Sequence, residues 1–380
     1  MLLITHNILW SKYKGGVFSA LHQLALQRNN KIEFLQIAET ESDRVGLGGV
    51  DLSYHQYPYK LLFKGSHSEI KKWLLIRTLF LEIWRSKADM VVLAGFHLLE
   101  YWSMLLAARL RGKTIGVFCD STAYDRRHTF TKGLLKRLFF SQCDVFFGYG
   151  QRSREYLMSL GVHPDLIFFR CQAAALPHDY DVKSVIATRT NPTSDIPRYL
   201  YVGRLSQEKN LDNLLHAFKI VLSSLPDSQL IIIGSGSLKE QLISLSNQLG
   251  LGKSVLFTNS MNIEMLQSEY LKATCMVLPS SSEPWGLVVN EALSFGCPVI
   301  VSHRCGCVPE LVIEGETGFS FECGNVDELA LKMISAEGTF TNRRTTAIKC
   351  ITLISKYSPD NAAEQIYNGC FTALRNKSEQ

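Results

Sequence analysis

The sequence predicts an α/β protein of two doubly wound domains, each a parallel sheet covered on both sides by helices. Three observations carry this prediction. At 380 residues the chain exceeds what one hydrophobic core usually organises. Short apolar runs rich in β-branched and aromatic residues alternate with amphipathic segments of helix length through both halves. Between the halves lies the polar stretch 181–199, DVKSVIATRTNPTSDIPRY, whose Pro192 and Pro197 give it the composition of a linker.

The runs fall at 2–4, 32–37, 90–93, 114–118, 145–147 and 166–169 in the first half, and at 199–202, 230–233, 255–257, 276–278, 299–301 and 319–321 in the second. Strands apolar on both faces belong in sheets buried on both sides, which are parallel ones. The domains read as residues 1–185 and 186–357. A closing helix over 358–380 starts at SPDN and is expected to pack back toward the first domain. Open α/β sheets bind ligands beyond the carboxyl ends of their strands, so the loops at those ends hold the candidate site.

Composition excludes several classes. The chain is 46% hydrophobic and 20% charged, without a low-complexity tract. The ten cysteines are scattered with no Cys-x-x-Cys pair. The closest two, Cys305 and Cys307, have no neighbours at zinc-finger spacing, so free thiols in a reducing cytoplasm are expected. The opening MLLITHNILW reads as a core strand, not a secretion leader, and no apolar run is long enough to span a bilayer. A cytoplasmic protein, at most peripheral to the membrane, is expected. The first 185 residues hold 24 Lys and Arg against 16 Asp and Glu, and the remainder 16 against 19, so the net +5 comes from the first half alone. That half is expected to meet something anionic.

The most informative stretch is 280–321, SSSEPWGLVVNEALSFGCPVIVSHRCGCVPELVIEGETGFSF. Glu283 lies in the loop after a strand, and Glu291 falls in the first turn of a helix predicted over 290–294, where a carboxylate suits the helix dipole. Between them Gly286, Leu287 and Val288 present backbone N–H groups at a helix start, a ready site for anions and hydroxyls. In YVGRLSQEKNLDNLLHAF (201–218) a strand ends at Gly203 and a loop presents Arg204 and Lys209, two cations suited to a diphosphate. In LIIIGSGSLKEQL (230–242) a strand runs into Gly234-Ser235-Gly236, a turn that lets a flat ring or a phosphate approach the backbone.

In this order and spacing, Gly-Arg-Leu-x-x-x-Lys-Asn at 203–210 and Glu-Pro-x-Gly-Leu-x-x-x-Glu-Ala at 283–292 closely resemble family 4 of the retaining glycosyltransferases. The resemblance covers the C-terminal half. It implies the GT-B fold, two facing Rossmann-like domains with a cleft between them, and transfer of a sugar from a nucleotide-sugar donor. It further implies that Arg204 and Lys209 hold the donor diphosphate, Glu283 the hydroxyls of the transferred sugar and Glu291 the ribose. The backbone at 286–288 would contact donor sugar and phosphates, with Gly234 also on the donor side. No Asp-x-Asp pair is present to hold a divalent ion, so the two cations would take over that task; no metal and no cofactor are expected. After VLFT the family commonly has glycine, whereas this chain has Asn259-Ser260, which leaves the base unassigned.

In the first half Gly15 and Gly16 are read as a glycine turn opening a helix, and Gly16 as a donor contact, again in keeping with the family. His97 and Asp120 each follow a predicted strand and are acceptor-side candidates. Relatives often carry a histidine near Asp120, but the loop here is Phe118-Cys119-Asp120-Ser121-Thr122. His97 alone also fits a structural histidine, and Asp120 a turn or cap. Residues 60–87 hold seven Lys and Arg against two Glu, with Trp73, Ile76, Phe80, Ile83 and Trp84 at helical spacing. They read either as an interfacial helix on anionic lipid, near a lipid-linked acceptor, or as a core helix with a basic rim. The competing functions are a nucleotide-sugar epimerase or hydrolase and a non-catalytic nucleotide-sugar-binding subunit. Nucleic-acid binding is not expected, since no recognisable module accompanies the basic residues.

Overall fold

The computed structural model describes residues 1–44, 49–124, 130–191 and 196–379. The chain divides into two compact units. Met1–Ala123, Arg127–Ala175 and Tyr357–Gln380 form the first, and Leu176–Lys356 with Tyr124–Arg126 the second.

The first unit is built on strands β1 (Leu2–Ile8), β2 (Ile32–Thr40), β3 (Tyr59–Ser66), β4 (Met90–Leu93), β5 (Thr114–Cys119), β6 (Val145–Gly148) and β7 (Ile167–Phe168). They pair in parallel in the order β3-β2-β1-β4-β5-β6-β7. Every residue of β4, β5 and β6 is buried, as strands covered on both faces require. Helices α1 (Lys12–Gln27), α2 (Lys72–Arg85), α3 (Leu99–Leu110), α4 (Phe130–Phe140) and α5 (Gln151–Ser159) connect them. On one face the core gathers Leu79, Ile83, Met104 and Phe139 from α2, α3 and α4 with Tyr156 from α5. On the other it gathers Val17, Phe18 and Leu21 from α1.

Two expectations need correction here. Gly15 and Gly16 do not form a turn; they lie inside α1, and the Gly15 N–H donates to Ser11 in helical register, 2.9 Å. A Cβ at Gly15 would stand 2.9 Å from the His55 ring, so this glycine makes room for a side chain. Residues 60–87 are not one helix: their start is the edge strand β3, and only Lys72–Arg85 is helical.

The second unit opens with α6 (Val182–Thr190), whose start is capped by the Asp181 carboxylate accepting from the Ser184 N–H. The stretch expected as a linker is therefore helical over half its length; Pro192 lies outside the described residues. Strands β8 (Arg198–Val202), β9 (Gln229–Ile233), β10 (Val255–Thr258), β11 (Cys275–Leu278), β12 (Val299–Ser302) and β13 (Gly318–Phe321) follow. They form a parallel sheet in the order β10-β9-β8-β11-β12-β13. Helices α7 (Leu211–Ser224), α8 (Lys239–Gln248), α9 (Ile263–Lys272), α10 (Leu287–Ser294), α11 (Val308–Leu311), α12 (Val326–Thr339) and α13 (Arg343–Ile354) complete it. α6 is fastened by Arg189, 1% exposed, whose Nη1 donates to the carbonyls of Leu271 (3.1 Å) and Ala273 (2.5 Å) at the end of α9. Those carbonyls have no acceptor role inside their own helix, so the buried guanidinium and the helix end satisfy each other.

The chain then returns to the first unit as α14 (Pro359–Ser378), started by Ser358 accepting from the Asn361 N–H. Ala362, Ile366, Cys370 and Ala373 enter the α1 side of the first core. Arg28 pairs with Glu364 at 2.6 Å, and Gly369 passes so close that a Cβ would stand 2.6 Å from Phe147 and 2.8 Å from Phe168. All ten cysteines are free thiols.

Candidate functional site

In each sheet the strand order turns back beside its first strand, between β1 and β4 and between β8 and β11. Loops leaving the carboxyl ends of such a pair diverge and open a crevice. In the second unit those two loops carry Arg204 with Lys209 and Glu283 with Gly286.

The two loops are fastened to one another. The Ser281 N–H donates to the Glu208 carbonyl at 2.8 Å, and the Asn210 side-chain amide donates to the Pro279 carbonyl at 3.3 Å. The Lys209 ammonium donates to the Glu283 carboxylate, both side chains less than one-fifth exposed. The sequence reading gave these two residues separate tasks, and the fold places them in an ion pair. Arg204 pairs with Glu208 at 3.1 Å, and the Ser206 hydroxyl donates to the same carboxylate oxygen at 2.7 Å. Burial raises the Glu208 pKa, but the Ser206 hydroxyl, its own backbone N–H, Arg204 and Lys209 together carry it below the usual range. Glu208 was not singled out in the sequence, where a lone acid in a loop has no distinguishing mark.

Gly286 caps α10 at φ +102°, a conformation only glycine adopts cheaply, and a Cβ there would stand 2.9 Å from Leu278. Leu287 and Val288 are the first two helical residues, so their N–H groups point out of the helix end beside Glu283. The 283–286 loop rests on the 305–307 turn: Gly306 donates to the Glu283 carbonyl at 2.9 Å and Cys307 to that of Trp285 at 3.2 Å. The Trp285 indole donates to Asn290 at 2.7 Å beneath it.

The third loop, after β9, also joins this cluster. Leu205 donates to the Ser235 carbonyl at 2.9 Å, and Cβ atoms at Gly234 and Gly236 would stand 1.8 Å from the Gly203 oxygen and 2.3 Å from the Leu205 oxygen. Both glycines are thus required by close backbone approach. The Asn259-Ser260 pair is tied to the same turn, with Ser260 on Ser235 at 2.8 Å and Asn259 accepting from Lys239 at 2.6 Å.

Glu291 differs from its expected setting. Helix α10 begins at Leu287, not at 290, so Glu291 stands in the second turn and gains little from the helix dipole. Its carboxylate instead accepts from the Tyr270 hydroxyl at 2.9 Å. Tyr270 is fully buried and its ring stacks on Phe295, centroids 5.6 Å apart and 14° from parallel. Burial pushes the Glu291 pKa up to about 7, and the Tyr270 hydroxyl works against that rise. Tyr270, twenty-one residues upstream, is a partner that only the fold reveals.

In the first unit Lys14, Gly15 and Gly16 follow β1, His97 follows β4 and Asp120 follows β5, so all lie at the carboxyl end of that sheet. His97 and Asp120 are exposed. The His97 ring meets that of Tyr101 edge-on at 5.6 Å. Lys14 was not anticipated. It is 3% exposed, its ammonium lies over the rings of Phe118 (4.4 Å) and Tyr149 (5.0 Å), and it has no hydrogen-bond acceptor among the described residues. Burial lowers its pKa to about 8, with Cys171 and Asp120 pulling the other way.

Comparison with known proteins also singles out the second unit. Residues 186–342 match the family model Glycosyl transferases group 1. Among curated proteins, the sulfoquinovosyl transferase SQD2 of Arabidopsis thaliana is 31% identical over 191 residues, 50% of this chain and 34% of that protein. The chain thus spans about a third of that relative's length. The Anabaena protein Alr3699/HepE, solved in complex with UDP, superposes with a TM-score of 0.71 at 17% identity, covering 98% of this chain and 99% of the other. Sucrose-phosphate synthase from Thermosynechococcus elongatus superposes with a TM-score of 0.72 at 18% identity, covering 98% and 100%. The fold is GT-B, two Rossmann-like domains with parallel sheets, and the group 1 segment lies within the second of them.

Proposed function

We propose that this protein is a glycosyltransferase. It moves a hexose from a nucleoside diphosphate sugar held by the second unit to a saccharide or lipid-linked saccharide acceptor held by the first. Transfer proceeds in the cytoplasm, with retention of configuration and without a metal ion. The observation that carries this reading is the set of fixed charges at the second sheet's switch point: Arg204 and Lys209 after β8, beside Glu283 and the open start of α10 after β11. The family match over 186–342 and the UDP complex of the structurally similar Anabaena protein support it.

As the glycosidic bond lengthens, negative charge collects on the departing diphosphate. Arg204, Lys209 and the N–H groups of Leu287 and Val288 would stabilise that charge, a large contribution because it grows only in the transition state. The diphosphate would compete with Glu283 for the Lys209 ammonium. Once relieved of it, the Glu283 carboxylate can accept from sugar hydroxyls, so donor binding and sugar recognition are coupled through one ion pair. Glu291, oriented by Tyr270, would accept from the ribose hydroxyls. Gly16 would lie on the donor side, and His97 and Asp120 would position the acceptor.

The test is nucleotide release from uridine, guanosine and adenosine diphosphate sugars in the presence of a chelator, for wild type, Lys209→Ala and Glu283→Ala. Release from one donor by wild type, lost in both variants, is expected. Release unchanged by either substitution, or absent from every donor, refutes the reading. For the acceptor side, Asp120→Ala is expected to lower transfer while sparing slow donor hydrolysis; unchanged transfer removes Asp120.

A further inference from the structure

Helices α2, α3 and α4 lie side by side on one face of the first sheet. The Ser103 hydroxyl donates to the Ile76 carbonyl between α3 and α2, and Trp102 meets Phe139 edge-on at 5.0 Å between α3 and α4. Each helix buries one apolar stripe in the core: Leu75, Leu79 and Ile83; Tyr101, Met104 and Ala108; Phe139 and Phe140. Each also turns large apolar side chains outward. Trp73 is 61% exposed, Leu106 55%, Leu110 62%, Leu134 62% and Leu138 53%, and Leu74, Trp84, Leu99 and Leu135 are exposed with them. Isolated exposed leucines are ordinary, but a run across three adjoining helices is a patch.

The exposed charges on these three helices have one sign. Lys72, Arg77, Arg85, Arg111 and Arg137 are exposed among the apolar groups, and the Arg111 guanidinium lies over the Trp84 ring at 5.6 Å. The only acids on the three helices are Glu82, paired with Lys60 at 2.7 Å, and Glu100, which is buried. A surface that offers leucine and tryptophan with arginine and lysine, and withholds free carboxylate, matches an anionic lipid bilayer. Its headgroups take the cations and its acyl boundary takes the apolar side chains. No helix among the described residues is long and apolar enough to cross a membrane, so contact of this kind is confined to one leaflet.

We propose that the outward face of α2, α3 and α4 docks on an anionic membrane surface. The interfacial helix expected over 60–87 is thereby replaced by a three-helix face: β3 and the inner stripe of α2 belong to the fold, and α3 and α4, not anticipated, supply most of the exposed leucine. This goes beyond sugar transfer and stands whether or not that reading holds.

The test is co-sedimentation of the full chain at low salt with vesicles rich in phosphatidylglycerol or of phosphatidylcholine alone, for wild type, Leu134→Glu/Leu138→Glu and Arg77→Glu/Arg137→Glu. Wild type is expected to bind the anionic vesicles at least about tenfold more tightly, with the preference shrinking in high salt. Each double variant is expected to lose about tenfold or more. All substituted side chains are exposed, so circular dichroism melts should coincide with wild type. Absence of binding to anionic vesicles, or equal binding by the double variants, overturns the proposal. So does a concentration-dependent dimer in sedimentation velocity that Leu134→Glu/Leu138→Glu dissociates, since a second copy would then cover the face.

Discussion

Tyr270→Phe isolates one hydrogen bond. The ring and its stack on Phe295 remain, and only the hydroxyl that donates to Glu291 at 2.9 Å is removed. Burial holds the Glu291 pKa at about 7, with this hydroxyl opposing the rise, so its loss must push the pKa higher still. A hydrogen bond to a charged group is worth about 1.5–3 kcal/mol, and about 1.4 kcal/mol corresponds to one pH unit. Taking about one unit, the ionised fraction of Glu291 at pH 7 drops from roughly half to roughly a tenth. If the carboxylate binds ribose, nucleoside diphosphate affinity falls about fivefold at pH 7 and hardly at all at pH 9. The assay is calorimetric titration with nucleoside diphosphate from pH 5.5 to 9. Wild type should lose affinity as pH falls through about 7, and the variant about one unit higher. Profiles that superimpose, or a uniform loss at every pH, would refute the reasoning, because the hydroxyl would then not act through the charge of Glu291.

Other consequences concern stability. Glu291 has a folded pKa above its unfolded value, so the folded state holds more protons between about 4.5 and 7 and stability falls as pH rises across that window. Glu291→Gln should therefore raise the melting temperature at pH 8, by up to about 3 kcal/mol of stability, and not at pH 4; no gain at pH 8 contradicts this. His6 in the first unit has the opposite sign. Burial, then Lys14, depresses its pKa to about 3, so stability is lost as pH falls below about 6.5, at up to about 1.4 kcal/mol per pH unit, and His6→Asn should flatten that slope in a pH series of melts. Lys209→Met leaves Glu283 without its ammonium and should destabilise more than Lys209→Met/Glu283→Gln, which removes both charges; equal denaturation midpoints would show that the pair is not coupled. Gly369→Val should cost about 1–3 kcal/mol by driving α14 off Phe147 and Phe168, and limited proteolysis should then release the C-terminal tail first.

Central strands were legible because they are apolar on both faces, as MVVL and VIVS show. β3 escaped because an edge strand needs no continuous apolar run: YKLLFKGS keeps Lys60 and Lys64 exposed, and those lysines made it look like part of a basic helix. α6 escaped because its hold on the unit is Arg189, a residue that composition assigns to the surface and that only the carbonyls at the end of α9 make tolerable inside. The helix carrying Glu291 begins three residues before its predicted start, because its cap, Gly286, makes no side-chain hydrogen bond and so lacks the serine, threonine, aspartate or asparagine that marks a helix start in sequence. Arg204, Lys209, Glu283 and the 286–288 backbone are candidates from loop position together with the family resemblance of 203–210 and 283–292. Contacts between distant residues carry no such mark. Tyr270 and Lys14 matter through contacts made across the fold, and no local pattern distinguishes a buried lysine over two rings from a solvated one.

The most direct measurement compares nucleoside diphosphate with nucleoside monophosphate binding by calorimetry, for wild type, Arg204→Ala and Lys209→Ala, in chelator. If the loop after β8 holds a diphosphate, wild type binds the diphosphate at least about tenfold more tightly and each substitution erases most of that preference while leaving monophosphate affinity near its original value. Equal affinity for the two nucleotides in wild type, or a preference untouched by both substitutions, would contradict the account at its centre.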